Sequence, residues 1–267
     1  MSRLVNTERI ILDYDSLSTA ELAAESACTD EYEIVCIVDG NAVCVAEGRE
    51  LSLGPRSLAV FPPMCYHTFT ADTASCVDRY LLRFSPDMLG EDVRRAFLDM
   101  ISDGVVFFPA GTVNERVISA IERFQLNSDF APEYRDVYLT AILAELICHI
   151  SSLGAERLPE NETELGVRVA KYLNENIDKS LSLERLSARF FVSKYYLCRA
   201  FKKQNGVSIH SYVNHKRIMY AKGLIESGFT ASEAAYRVGF GDYSAFYRAY
   251  VKIVGSAPTR DNRKERI

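Results

Sequence analysis

The stretch that decides the fold of this chain is 183–206, which reads LERLSARFFVSKYYLCRAFKKQNG. It returns in altered form at 231–255 as ASEAAYRVGFGDYSAFYRAYVKIVG. The offset is 48 residues before the central turn and 49 after it, so the second copy has one extra residue at the turn. The positions that correspond after the turn are Leu197 and Phe246, Phe201 and Tyr250, and Gly206 and Gly255. This internal repeat indicates two copies of one unit, a short helix, a tight turn and a second helix that ends at glycine.

The second helix of each copy has an apolar and a polar face. Leu197 and Phe201 lie at positions i and i+4, on the same side of a helix, and are expected to form its core face. Ser193 is placed to cap this helix, because its hydroxyl can accept from free backbone N–H groups. In the second copy, Asp242 or Ser244 is placed to act as the cap.

The outer faces of these two helices predict a surface that binds nucleic acid. The DNA major groove admits an α-helix, and arginine pairs bidentately with guanine. Arg199 and Arg248, at matching places of the repeat, are therefore the main candidates for reading bases. The alternative is that each charge only solvates a helix face. The secondary base-reading candidates are Tyr195, Cys198, Tyr243, Ser244 and Tyr247, and the candidates for phosphate contacts are Lys194, Lys202, Lys203 and Arg217.

The segment between the copies, 211–226, is predicted to be a helical spacer. It contains no proline, and its apolar residues form one stripe. Sixteen residues at helical rise span about 24 Å, whereas successive major-groove openings on one DNA face are about 34 Å apart. One chain could then contact two adjacent grooves, with DNA bending where the spacing falls short.

Charge is divided unevenly along the 267 residues, whose net charge is −5. Residues 1–164 hold 12 Arg, no Lys and 28 Asp or Glu, whereas residues 165–267 hold 19 Lys or Arg and 8 Asp or Glu. A basic module joined to an acidic one is typical of proteins that bind nucleic acid, and an acidic membrane surface is the lesser alternative. With 48% hydrophobic residues the composition excludes collagen-like and disordered classes. Seven scattered Cys and a start without an apolar signal stretch predict reduced thiols and a cytoplasmic protein.

The acidic part begins with a β pattern. Turn signals recur every seven or eight residues or so across 31–84, and short β-branched or apolar runs lie between them. This spacing predicts an all-β barrel or a double-sheet roll. The predicted strands are 33–38, 42–46, 57–61 and 77–84.

Helical periodicity follows, at 91–101, 114–126 and 133–153. The last helix begins at Glu133, directly after Pro132. Its apolar residues recur at alternating steps of four and three, which is a heptad seam. The seam has two interpretations: packing of the helix on its own barrel, or a helix–helix contact in a homodimer. The seam consists of Leu139, Leu143, Leu146, Ile150 and Leu153.

Residues 167–263 resemble the DNA-binding domain of the AraC/XylS family of bacterial transcription regulators. The most specific part of the match is AYRVGFGD at 235–242. Three positions depart from the family pattern: Phe191 stands where Gly is common, Ala234 where Ile is usual, and Val251 where Lys is common. The last departure puts one expected phosphate contact in doubt. The resemblance implies that promoter DNA is bound through two helix-turn-helix motifs, with RNA polymerase as a further partner.

The segment 32–84 resembles the cupin-like sensing domain that often precedes this DNA-binding domain, with FPPMCYH at 61–67 among its matching stretches. This implies a jelly-roll barrel that binds a small molecule, often a sugar or related metabolite. Metal cupins carry a His-x-His, but CTDEYE at 28–33 has no histidine, so no metal is expected. The candidate effector-binding residues are Arg9, Glu33, Tyr66, His67 and Tyr80.

The expected architecture is an α+β multidomain chain. It comprises a cupin-like β jelly roll at 1–110, a helical dimerisation segment at 111–157, a linker at 158–164 and an all-α double helix-turn-helix domain at 165–267. The expected function is a sequence-specific transcription regulator with no catalytic residue, metal or cofactor. The resemblance implies an activator rather than a repressor, a choice that the residues themselves do not make. Two alternatives stay open: a metal-dependent cupin enzyme with a helical appendage, and a regulator whose barrel binds no ligand and serves only in assembly.

Overall fold

A computed structural model describes residues 2–7, 9–23, 26–71, 76–102, 104–154, 156–157, 164–179 and 181–258. The chain divides into two compact units. The first contains Met1–Ala27, Glu31–Ala46 and Glu50–Glu160, and the second contains Cys28–Asp30, Glu47–Arg49 and Asn161–Ile267. Most of the predicted linker, 158–163, lies outside the described residues.

The first unit is built from short strands in two antiparallel sheets. The strands are β1 Ser2–Asn6, β2 Ile10–Leu17, β3 Ser26–Ala27, β4 Tyr32–Asp39, β5 Ala42–Ala46, β6 Arg49–Leu53, β7 Ser57–Phe61, β8 His67–Ala71, β9 Val77–Phe84, β10 Val106–Phe108 and β11 Glu156–Arg157. One sheet has the strand order β1-β2-β9-β4-β7-β10-β11 and the other has the order β3-β8-β5-β6. The four strands predicted from the turn spacing correspond to β4, β5, β7 and β9.

Alternation along the strands of the larger sheet gives it two buried faces. Val35 and Leu81 point to the inner face, where they pack with residues of the smaller sheet such as Phe69. Ile34 and Leu82 point to the outer face, which packs against helices. Strands that are buried on both faces read as continuous apolar runs, as β7 does. The predicted cupin-like double-sheet architecture is confirmed.

Helices cover the outer face of the larger sheet. Leu139, Leu143, Leu146 and Ile150, which form most of the heptad seam, are at most 1% exposed and lie in the core of this unit. The seam therefore packs on its own barrel, as in the first of its two interpretations. The helices of this unit are α1 Thr19–Ala23, α2 Glu91–Met100, α3 Glu115–Arg123 and α4 Pro132–Ser151, with 3-10 turns at Pro86–Met88 and Phe124–Asp129.

The described part of the second unit is helical outside its two short segments from the N-terminal half. The four predicted core positions of the repeat are buried, at 4% exposure or less: Leu197, Phe201, Phe246 and Tyr250. The repeat thus forms two helix-turn-helix motifs, Leu183–Phe190 with Lys194–Asn205 and Ala231–Arg237 with Tyr243–Val254, which the helix Ile209–Glu226 joins. Among the described residues, no helix is both long and apolar enough to cross a membrane. The helices are α5 Leu165–Glu175, α6 Leu183–Phe190, α7 Lys194–Asn205, α8 Ile209–Glu226, α9 Ala231–Arg237 and α10 Tyr243–Val254.

Candidate nucleic-acid interface and barrel site

The second helix of each motif, α7 or α10, is capped at both ends. The Ser193 hydroxyl accepts from the backbone N–H of Tyr196 at the start of α7. The Asp242 carboxylate accepts from the N–H groups of Ser244 and Ala245 at the start of α10, so Asp242 rather than Ser244 is the cap. Each helix ends at a glycine in the left-handed region, with φ of 74° and 82°. These caps fix where each outer face begins and ends.

The outer faces of α7 and α10 present the predicted base-reading residues. Arg199 and Arg248 are exposed, while the core pairs on the opposite side of each helix are buried. The arrangement leaves a polar, arginine-bearing face on each helix for a major groove. Of the secondary candidates, Tyr195, Tyr243, Tyr247 and Ser244 are exposed and Cys198 is partly exposed.

The predicted phosphate-binding residues differ in their exposure and in their bonding partners. Lys202 and Lys203 are exposed in the last turn of α7. Lys194 is exposed and forms an ion pair with Glu184 of α6. Arg217 is half-buried in α8, and its guanidinium binds backbone carbonyls of the same unit.

Arg217 joins three segments of the second unit. Its Nε donates to the carbonyl of Ile177 at 2.9 Å, its Nη1 to Gly239 at 2.8 Å and its Nη2 to Lys179 at 2.7 Å. Burial lowers the pKa of Arg217, and the charge of Asp178 opposes that shift. Since each guanidinium nitrogen already holds a carbonyl, Arg217 braces the turn of the second motif against the loop that follows α5.

The barrel contains a cluster of three ionisable side chains at the inner face of the larger sheet, of which Glu33 and His67 are buried and Arg83 is half-buried. Strand register places Glu33 of β4 beside Arg83 of β9 on one side and Phe61 of β7 on the other. The Glu33 carboxylate accepts from Arg83 Nε at 2.8 Å, and His67 Nε2 lies 2.8 Å from its other oxygen. The His67 ring stacks on Phe61, with ring centroids 4.1 Å apart. Burial by itself would raise the pKa of Glu33, but His67 and Arg83 together lower it to about 2.

The five predicted effector-binding residues occupy different places. Glu33 and His67 bind each other, and Tyr66, next to His67 in the chain, is 1% exposed. Tyr80 lies on the outer face of the sheet, where its hydroxyl contacts Glu122 of α3 at 3.4 Å. Arg9 is exposed in the turn before β2.

Sequence reasoning missed Arg83 and a second buried ion pair. Arg79 Nη2 lies 3.3 Å from a carboxylate oxygen of Asp15, and both side chains are 1% exposed. The sequence of β9 places Arg79 and Arg83 four residues apart, so both lie on one face of the strand with Leu81 between them. The sequence did not show that this face points into the barrel, because apolar residues occupy both faces of the strand. In the described part of the chain, no group of three or more His, Cys, Asp or Glu side chains is arranged to hold a metal ion.

Comparison with known proteins agrees with this geometry. The family model described as AraC-like ligand binding domain matches residues 20–158, and the model described as helix-turn-helix domain matches residues 186–264. The chain is 28% identical over 223 residues to the uncharacterized HTH-type transcriptional regulator YbfI of Bacillus subtilis (strain 168), covering 80% of this chain and 78% of that protein. It is 25% identical over 249 residues to the HTH-type transcriptional activator RhaS of Klebsiella pneumoniae (strain 342), covering 89% and 86%.

Among solved structures, ToxT from Vibrio cholerae O395 matches with a TM-score of 0.40 and 11% sequence identity, covering 95% of this chain and 96% of that chain. The family models cover both units, and the relatives are named as transcription regulators, a family of non-enzymes. This chain, with its ligand-binding barrel and its pair of helix-turn-helix motifs, belongs to the AraC family of transcription regulators.

Proposed function

We propose that this regulator binds two adjacent major grooves of promoter DNA, one with α7 and one with α10. The observation that carries the proposal is the exposure of Arg199 and Arg248 on faces opposite the buried core pairs of their helices. Base reading is assigned to these two arginines, supported by Tyr195, Cys198, Tyr243, Ser244 and Tyr247. The 18 residues of α8 span about 27 Å. Because groove openings are about 34 Å apart on one DNA face, simultaneous contact favours bent DNA.

Phosphate binding is assigned to the exposed lysines of the first motif, Lys194, Lys202 and Lys203. Such contacts supply affinity and register, whereas base contacts supply sequence specificity. Arg217, which braces the second motif, contributes to DNA binding by holding that motif in place.

The barrel is proposed to sense a small molecule, a sugar or a related metabolite, through Glu33, Tyr66 and His67. The effector would shift the population between states that differ in affinity for DNA. An activator role is supported by the relatives named as activators. RNA polymerase is proposed as the further partner of such an activator. A promoter-binding protein of this kind acts in the cytoplasm.

We also propose a homodimer that forms through the helix 133–153. The contact would use the side of the helix that does not carry the heptad seam. Since the heptad seam is buried, the side available to another copy is the one that carries Tyr134, Val137, Ala141 and Cys148. Tyr134 and Val137 are 61% and 66% exposed. Sedimentation of Val137→Asp should show dissociation at concentrations where the natural chain is dimeric, and an unchanged mass would remove this face as the contact.

The salt dependence of DNA binding tests the proposed interface. Each neutralised phosphate releases counterions, so the logarithm of affinity falls with the logarithm of salt by about 0.9 per contact. With duplexes selected from a random pool, the double variant Lys202→Gln with Lys203→Gln should lower that slope by nearly two. The matched control, Arg95→Gln with Arg116→Gln, removes two exposed charges from the first unit and should leave the slope unchanged. Equal slopes for all three proteins would contradict the assignment.

A further inference from the structure

His67 of the barrel lies between two strands from which the chain runs on into the second unit. In the smaller sheet, His67 of β8 is paired in register with Ala27 of β3 on one side and with Ala46 of β5 on the other. Both partners are the last residues of their strands. The residues that follow belong to the second unit, namely Cys28–Asp30 after β3 and Glu47–Arg49 after β5. The backbone on both sides of His67 therefore continues directly into that unit.

The carboxylate of Glu47 binds α8 and α5 within the second unit. It accepts from Lys216 Nζ at 2.7 Å and from Asn174 Nδ2 at 2.9 Å, and it also accepts from the Tyr212 hydroxyl. The Lys216 side chain is only 5% exposed, so this ion pair is largely out of water, where charge-assisted hydrogen bonds are strong. The Tyr212 ring packs edge-on against Phe201, a core residue of α7, with centroids 5.4 Å apart. One side chain thus joins Glu47 to the core of the first helix-turn-helix motif.

The carboxylate of Asp30 binds the same helix nearer to its C-terminal end. Both of its oxygens accept from Lys222 Nζ, at 2.7 and 2.8 Å. Burial raises the pKa of Tyr250, and the charges of Lys222 and Asp30 act on it as well, so this ion pair lies near a core residue of α10. Asp30 is thus placed beside the second motif, as Glu47 is placed beside the first.

We propose that Glu47 and Asp30 couple His67 of the barrel to α8, the helix that joins the two DNA-binding motifs. This names the regulation of the sensing function proposed above and rests on it. A ligand that displaces His67 would displace both neighbouring strands, and with them the two carboxylates that hold Lys216 and Lys222. Because α8 sets the spacing of the recognition helices, a change at these two points alters how well both helices fit adjacent grooves.

The test follows hydrogen exchange of the α8 amides in the full chain, with His67→Gln as a change in the barrel that needs no effector. His67→Gln should alter exchange in α8 by about fivefold or more, the lower end of typical allosteric couplings. When Glu47→Gln and Asp30→Asn are both present, His67→Gln should leave α8 exchange unaltered. Glu226→Gln is the matched control and should preserve the response, because Glu226 lies 3.7 Å from Lys222 but belongs to α8 itself. The same response with and without the two carboxylates, or no response in the natural chain, would overturn the proposal.

A reciprocal measurement covers the case in which His67→Gln does not fold. Coupling between two sites acts equally in both directions. The double variant Glu47→Gln with Asp30→Asn should therefore alter exchange of the β8 amides, and Glu226→Gln should not. Unaltered β8 exchange in the double variant would overturn the proposal.

The salt slope of DNA binding, measured on the same preparations, separates this inference from the proposed function. The expected slope without transmission between His67 and α8 overturns the coupling alone. Transmission without salt-dependent DNA binding overturns the proposed interface alone.

Discussion

The two helix-turn-helix motifs share one pattern but hold their turns in opposite ways. In the first, Phe191 occupies the turn with φ of 55°, and 94% of it is exposed. In the second, Gly239 occupies the turn with φ of 85°, between the carbonyl of Asp178 and the guanidinium of Arg217. A left-handed conformation costs a non-glycine residue about 1–2 kcal/mol. The first turn tolerates that strain because nothing packs on it, whereas the second needs glycine for both conformation and space.

The recognition helices also differ in charge. The helix α7 carries Lys194, Arg199, Lys202 and Lys203 and is capped by a neutral serine. The helix α10 carries Arg248 and Lys252 and is capped by an aspartate. Because phosphate contacts dominate affinity, the first motif should supply more of the binding free energy and the second should depend more on exact positioning. The brace at Arg217 is consistent with that division.

The largest expected effect comes from Gly239→Ala. An added Cβ would lie 2.7 Å from the Asp178 carbonyl oxygen and 2.8 Å from Arg217 Nη2, so backbone must move. We expect the free energy of unfolding of the second motif to fall by about 3 kcal/mol, from strain and overpacking together. Hydrogen exchange of α9 and α10 in the full chain measures it.

Gly255→Ala is the matched control for that substitution. Gly255 also has positive φ, at 82°, but nothing lies within 4 Å of an added Cβ. Gly255→Ala should therefore lower the free energy of unfolding by about 1 kcal/mol, from the backbone conformation alone. Similar losses in the two variants would show that close packing at the second turn has no energetic consequence.

Next in size is Arg217→Lys. Lysine keeps the charge but has one nitrogen, so it cannot bridge three carbonyls that arginine reaches with three. We expect a loss of about 2 kcal/mol in the stability of the second motif, by the same exchange measurement. Arg199→Lys, at an exposed position, should leave stability unchanged. Unchanged stability of Arg217→Lys, together with weaker DNA binding, would return Arg217 to the phosphate contacts.

The base-reading arginines should give smaller but separable effects. Arg199→Ala and Arg248→Ala should each lose about 1–3 kcal/mol of discrimination between the preferred base pair and the other base pairs. The two losses should fall at different positions of the selected duplex. Selection from random duplexes followed by footprinting compares the two preferences. Footprints and preferences identical to those of the natural chain would contradict the assignment of the recognition helices.

The smallest effect is expected at the first turn. Phe191→Gly removes the left-handed strain and loses little packing, although glycine adds freedom to the unfolded chain. We expect the free energy of unfolding, measured with urea, to rise by up to about 1 kcal/mol. Phe191→Ala keeps a Cβ and should change little, so a gain of equal size in that variant would attribute the effect to the exposed ring instead.

Much of the architecture was predictable because local patterns specify it. Glycine and proline spacing marked β4, β5, β7 and β9, since turns need their particular dihedral angles. The strands β1, β2, β3, β6, β8, β10 and β11 were not among the predicted strands. Register with distant strands places β2 beside β9 and β10 beside β7, and no local signal reports such pairing.

By itself, the sequence determined the repeated helical motif, the buried core pairs of α7 and α10 and the outward arginines, because helical periodicity fixes which residues share a face. Tertiary structure alone decided that the α4 seam packs on its own barrel, that Arg217 binds carbonyls, and that Arg83 joins Glu33 and His67. Each of these depends on contacts between residues far apart in the chain, and a local pattern carries no information about its distant partner.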